Sequence, residues 1–331
     1  MAQYDVVTLG ETMLRLTPPG LRRLEQATAF EVEVSGTESN VAIGLARLGL
    51  KTLWLSRLTN NPLGHLIAQT ITGQGVDTSR LLWTDDNRVG LMFLEEGKAP
   101  RGSRVLYDRR QSAMSQMRPE ELPVELFHRE GARLLHLTGI TLALGPQSAA
   151  TCLRAIALAR AAGWLCSFDV NYRRTLWDPA MALQHCEPAL LAADILFIPR
   201  GDACALYALP PTLAPEAMIA HLAQRYPQAI IALTLGNEGA IAAHPHGATY
   251  RQPAFPAEEV GRVGGGDAFA AGFLYAYLTT VSPDNGLPRA LAWGTAMAAL
   301  KYSVRGDAPI VERQEVEALL AQGHGRSGLW R

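Results

Sequence analysis

The chain has 331 residues, is 48% hydrophobic, and balances 30 basic against 31 acidic side chains. That balance argues against a nucleic-acid or anionic-membrane binder, and no segment is apolar for the roughly 18 residues a membrane span needs. The N-terminus shows no basic stretch followed by an apolar one, and Cys152, Cys166, Cys186 and Cys204 form no C-x-x-C pair, so a cytoplasmic protein with reduced thiols is expected.

Tyr4 to Leu9 reads as a first buried strand, ending at Gly10. Ser39-Asn40 then reads as a helix cap, with Val41, Leu45 and Leu48 at helical spacing and Gly49 where a left-handed terminus belongs. Thr52 to Leu58 predicts one strand, and Leu63, Leu66, Ile67 and Ile71 predict a helix stopped by Gly73 and Gly75. From about Ser79 to Ser112 the helix signal disappears. Leu81-Leu82-Trp83, Val89 to Leu94 and Val105-Leu106-Tyr107 are strand-like, as is the alternation from Thr12 to Val34. These two excursions, at about 12–34 and 79–112, are expected to meet as a small β-sheet lid.

Alternation resumes at Leu134. Strands are predicted at Leu134–Leu137, Trp164–Val170, Ile195–Ile198 and Ala229–Leu235, with helices over Pro146–Ala162, after Pro179, over Pro215–Arg225, from Ala268 and over Leu287–Tyr302. Repeated β–helix–β units imply an α/β fold with a mostly parallel sheet covered on both faces and ligands at the carboxyl ends of its strands. No internal repeat or linker divides the chain, so 1–331 reads as one domain.

The most chemically suggestive run is Glu258 to Leu274, with Gly264-Gly265-Gly266-Asp267 at its centre. Three glycines before an apolar helix expose backbone N–H groups at a positive helix end, which suits an anion. Asp267 is placed to act as a general base and is expected to stay ionised there; the plainer reading is an ordinary N-cap. Neither G-x-x-x-x-G-K-[ST] nor a strand–helix G-x-G-x-x-G is present, so a nucleotide would bind differently. Thr234-Leu235-Gly236-Asn237-Glu238-Gly239 offers glycines after a strand, though a plain hairpin turn explains it too. Asp169, Asn171 and Arg173 alternate at a strand end and would project to one side if the backbone stays extended. Arg109, in the proposed lid, and Arg173, in the core, form a guanidinium pair suited to a carboxylate.

Gly10-Glu11, the Ser35–Ala42 turn into a helix, Gly236-x-x-Gly239 and Gly264 to Gly272 together resemble the ribokinase-type (PfkB) carbohydrate kinases over essentially the whole chain. Arg104 to Arg109, Leu135 to Thr141, which includes Ile140, and Asp169 to Arg173 resemble 2-keto-3-deoxygluconate kinases in particular. The resemblance implies a ribokinase-like three-layer fold and ATP-dependent phosphorylation of a sugar acid with Mg²⁺. It assigns Asp267 as base, the amides of Gly264, Gly265 and Gly266 as the phosphoryl site, and Gly36 and Asn40 as sugar contacts. Tyr107, Arg109 and Arg173 fall at the acid end, with Ile140, Asp169 and Asn171 also on the substrate side; Thr234, Gly236 and Gly239 fall on the nucleotide side.

The chain departs from the family at Gly261-Arg262-Val263, where an acidic residue and threonines are usual, and at Pro199-Arg200-Gly201-Asp202, where only Asp202 keeps an acidic character toward magnesium. Arg262 reads first as a surface arginine, with approach to a nucleotide phosphate as the alternative. The implied partners are a small sugar acid and ATP, with no nucleic acid or membrane, and self-association through lid edges as a homodimer or higher oligomer. A kinase for a neutral sugar or nucleoside, or a sugar-binding relative with weakened catalysis, are the alternatives.

Overall fold

A computed structural model describes residues 2–245, 247–261, 263–280 and 286–323. The chain enters its main sheet with β1 (Tyr4–Leu9), leaves through β2 (Met13–Thr17) and β3 (Glu31–Ser35), and returns by α1 (Thr37–Arg47) to β4 (Thr52–Leu55). β5 (Arg57–Thr59), α2 (Pro62–Thr72), β6 (Leu82–Thr84), β7 (Leu91–Glu95) and β8 (Arg104–Asp108) follow before the sheet resumes at β9 (Ala132–Thr138). α3 (Gly139–Ala143) and α4 (Pro146–Ala161) lead to β10 (Leu165–Asp169), and α5 (Pro179–Ala192) leads to β11 (Ile195–Pro199). α6 (Arg200–Tyr207) and α7 (Pro215–Arg225) lead to β12 (Ile230–Thr234), followed by β13 (Ala240–Ala243) and β14 (Thr249–Gln252). α8 (Gly265–Thr279), α9 (Gly286–Tyr302) and α10 (Arg313–Gln322) complete the described chain.

Across the main sheet the order is β14-β13-β12-β11-β10-β9-β1-β4, parallel from β4 to β12 and antiparallel beyond. Successive side chains point to opposite faces of a strand. Val7, Leu135, Leu196 and Ile231 therefore join the core under α4, α5 and α7, while Val6, Leu134, Phe197 and Ile230 join the core under α1, α8 and α9. Both faces being covered explains why these strands read as continuous apolar runs instead of alternating ones. The result is the three-layer, ribokinase-like architecture.

The two helix-free excursions meet as expected: β3-β2-β7-β8 form a separate four-stranded sheet. Leu82 and Trp83 do not belong to it. The stretch expected as one strand over Thr52–Leu58 breaks at Ser56, and β5 pairs in parallel with β6 as a small sheet of its own. Ser39 and Asn40 are not caps but lie in the first turn of α1, whose N-cap is Gly36; the Ser39 hydroxyl donates to the Gly36 carbonyl at 2.9 Å. In α2, Ile67 and Ile71 are buried, whereas Leu63 and Leu66 are exposed. Gly49 has the left-handed backbone expected of it, with φ of 100°. Cys152, Cys166 and Cys186 are buried free thiols and Cys204 is a half-buried one. Among the described residues no helix is long and apolar enough to cross a membrane.

Candidate active site

A cavity of about 520 Å³ opens at the carboxyl ends of the parallel strands. The main sheet supplies Glu11 after β1, Ile140 after β9, Asp169, Asn171 and Arg173 from the end of β10, Asp202 after β11 and Thr234 at the end of β12. The smaller sheet closes the opposite side with Met13, Met92, Leu94, Val105, Tyr107 and the adjoining Arg109. Gly36 and Asn40 enter with the start of α1, and Gly264, Gly265, Gly266 and Asp267 enter with the start of α8. Residues separated by more than 200 positions thus converge because every crossover returns the chain to the same edge of the sheet.

The glycine turn is shaped by what surrounds it. Gly264 caps α8 in a left-handed conformation, φ 85°, and a Cβ there would lie 1.9 Å from the Asp307 carbonyl oxygen. A Cβ on Gly265 would enter the Tyr302 ring, whereas one on Gly266 would meet nothing within 4 Å, so that backbone stands open to a ligand. Because Gly264 is the N-cap, Asp267 is the third residue of the helix and not its cap. Its Oδ2 instead accepts from Asn40 Nδ2 at 2.7 Å. Burial raises the Asp267 carboxyl from its ordinary 3.8 to about 7; Asn40 and Arg173 pull it down, and Asp307 and Glu38 push it up. The helix end was expected to keep this carboxylate ionised; with only 7% exposure, burial works against that and raises it.

Glu38, which sequence reasoning quoted only as part of a turn, is a second buried carboxyl at this cavity. Its Oε1 accepts from the hydroxyls of Thr138 at 2.8 Å and Thr141 at 2.6 Å, and burial raises it from 4.5 to about 7. Nothing in the spacing of Glu38, Thr138 and Thr141 along the chain marks them as partners. The Leu135–Thr141 motif is explained in part by this anchor.

Asn171 has φ of 40°, so the run from Asp169 to Arg173 is not extended as expected, yet all three alternating residues line the cavity. The kink lets the Asn171 N–H donate to Asp169 Oδ1 at 3.1 Å. Burial first, then the charges of Asp267 and Asp202, hold Asp169 well above the usual carboxylate range. The Asp202 carboxylate accepts from the Tyr172 N–H at 2.8 Å and is raised by burial.

The two arginines differ. Arg109 Nε donates to Glu11 Oε2 at 2.7 Å, its Nη2 pairs with the same oxygen, and its guanidinium lies 5.6 Å from the Tyr107 ring centre. Its charge is thus already met by the Glu11 carboxylate within the fold. Arg173 is exposed, and its guanidinium has no hydrogen-bond or ion-pair partner among the described residues.

A second cavity of about 110 Å³ adjoins the first and shares Thr234, Gly265 and Gly266 with it. Gly236 and Gly239, both left-handed in the hairpin between β12 and β13, line it together with Phe255, Phe269, Ala298 and Tyr302. Arg262 lies outside the described residues. Among those described, no three His, Cys, Asp or Glu side chains gather as a metal cluster.

An open-edged parallel sheet, a small sheet closing over its carboxyl end, and a glycine turn starting a buried helix define a sugar kinase of the ribokinase type. The chain belongs to the pfkB family of carbohydrate kinases, matching it over residues 3–313. It is similar to the 2-dehydro-3-deoxygalactonokinase of Haloferax volcanii, with 38% identity over 322 residues covering 96% of this chain and 97% of that one. It is also similar to the 2-dehydro-3-deoxygluconokinase of Bacillus subtilis, with 32% identity over 307 residues covering 92% and 91%. Among solved structures, the 2-dehydro-3-deoxygluconokinase of Thermotoga maritima aligns with a TM-score of 0.86 at 30% identity, covering 96% of this chain and 100% of that one.

Proposed function

We propose that this kinase phosphorylates a hydroxyl of 2-keto-3-deoxygluconate (2-dehydro-3-deoxygluconate) or its C4 epimer, with ATP as donor. The observation that carries the substrate class is Arg173: a guanidinium without a partner among the described residues, opening into the same cavity as Asp267. A carboxylate on the substrate would give it the charge-assisted partner it lacks. The names of the similar kinases, one for each epimer, support the same class and leave the epimer open.

In this reading Asp267, oriented by Asn40, would align the acceptor hydroxyl and take its proton as the new O–P bond forms and the γ-phosphoryl group's bond to the departing ADP breaks. The open backbone at Gly266, with its neighbours in the turn, stabilises the charge on the transferring group. Phosphoryl transfer asks a protein mainly for such positioning and charge stabilisation. ATP supplies the phosphoryl group when bound, and the second cavity fits it: an apolar wall with Phe255 and Phe269 suits a base, and the shared glycines lead toward the phosphates. For Mg²⁺ the protein side offers Asp202 at the cavity edge, which suits an ion held mostly by phosphates and water. The small sheet acts as a lid that keeps water from the reaction.

A coupled assay with Mg-ATP and a panel of keto sugar acids, fructose, ribose and nucleosides tests the reading. A keto-deoxy acid should give the highest kcat/KM. A neutral sugar ahead of every acid would overturn it.

A further inference from the structure

Lys301, near the end of α9, is fully buried, with 0% exposure, although nothing in the proposed chemistry uses it. It forms no ion pair with a carboxylate among the described residues. Its ammonium instead donates to two backbone carbonyls, Gly261 O and Val304 O, each at 3.2 Å. Burying a cation among neutral dipoles is costly, so this placement calls for a compensating role. Burial does lower its pKa, with the charges of Asp307 and Asp267 opposing that shift.

The two carbonyls belong to the two segments that fix the glycine turn. Gly261 stands three positions before Gly264, tied to the end of α9 by its N–H donating to the Tyr302 carbonyl at 3.1 Å. Val304 begins the loop that runs to Asp307, whose carbonyl oxygen presses against Gly264, while the Tyr302 ring presses against Gly265. A Cβ at position 261 would stand 3.0 Å from Val304 O and 3.5 Å from Lys301 Nζ. The missing side chain at 261 and the lysine at 301 are therefore two halves of one arrangement: the first leaves room that the second uses.

We propose that Lys301 is a tethered internal cation, a positioning residue whose ammonium clamps the segments on both sides of the glycine turn and holds positive charge beneath the anion site. This inference rests on reading Gly264–Gly266 as the phosphoryl site. Remove the ammonium, and the carbonyls of Gly261 and Val304 lose the cation they both accept from. A purely apolar or packing role entails no such loss.

The test uses the full chain carrying Lys301→Ala or Lys301→Gln, assayed on the best substrate of the panel above with KCl, NH₄Cl or tetramethylammonium chloride at equal ionic strength. Loss of a buried charged donor should lower kcat roughly 10- to 100-fold in both variants, with KM for the sugar changed far less. K⁺ or NH₄⁺ should restore at least several-fold in Lys301→Ala, tetramethylammonium should not, and the parent enzyme should respond to none of them. Lys301→Gln also keeps the test open if the alanine variant fails to fold, since it preserves length and a donor. Parental kcat in either variant overturns the proposal, as does a loss in Lys301→Ala that no small cation restores. Asp267→Asn run in parallel separates this from the functional reading, because its loss should be indifferent to added cations.

Discussion

Asn40 and Asp267 are 227 positions apart in sequence and 2.7 Å apart in the fold, the amide of α1 donating to the carboxylate of α8. The oxygen of the same Asn40 amide, Oδ1, is buried with no partner among the described residues. A side chain kept half-satisfied to hold one carboxylate fits positioning better than packing. Asp267→Asn should lower kcat roughly 10²- to 10⁴-fold, the usual range for a positioned base, while nucleotide affinity and folding stay largely intact. Near-parental turnover would remove the general-base role.

The raised carboxyl gives a pH signature. With Asp267 at about 7, the basic form grows as pH rises through about 7, and kcat/KM should rise with it. Because the Asn40 hydrogen bond favours the charged form, Asn40→Ala should move that midpoint upward. A midpoint unmoved or lowered in the pH profile of the variant would contradict this.

Stability should run the other way. Asp267 and Glu38 hold protons in the fold that the unfolded chain releases near its ordinary carboxylate values of 3.8 and 4.5. Their contribution is complete below those values and is lost as pH rises through about 7. Asp267→Asn escapes its share of that loss, so its Tm relative to the parent should climb between about pH 5 and pH 8. A constant difference across that range would refute the buried, protonated state.

Arg173→Ala should raise KM for a keto acid about 10- to 100-fold, the cost of a lost charge-assisted contact, and affect a neutral sugar much less. Equal effects on both would sink the acid-end assignment. Arg109→Ala should behave differently, because it strands Glu11 in a buried site. A drop in Tm alongside the kinetic loss is the expected mark of that.

Closure of the small sheet is testable by hydrogen exchange. Added sugar acid should slow exchange around Tyr107 and leave the main-sheet strands unchanged. No added protection there would argue that the sheet is fixed.

Much of the architecture could be read from the sequence because buried parallel strands are apolar throughout and helices carry their own period. The β–helix rhythm from Leu134 onward, the excursions at 12–34 and 79–112, and the glycine turn all left local signals. What was illegible depends on distant partners. The break at Ser56 and the departure of Leu82 and Trp83 to a sheet with β5 are choices made by tertiary pairing. So is the upward shift of the Asp267 carboxyl, which the helix end alone does not reveal because burial is a property of the whole fold. The roles of Glu38 and Lys301 have the same character: their partners lie about 100 and 40 positions away, or on backbone carbonyls that no motif records.

The two cavities share Thr234 and the bare backbone of Gly265 and Gly266 in their linings. A single molecule reaching from one chamber into the other would pass mainly glycine backbone there. A sugar acid joined to an adenine nucleotide through a short phosphate bridge would turn its second contact into an intramolecular one, at an effective concentration on the order of millimolar. Such a bisubstrate compound would compete with both ligands at once, and its gain over either fragment would measure how nearly the chambers are aligned.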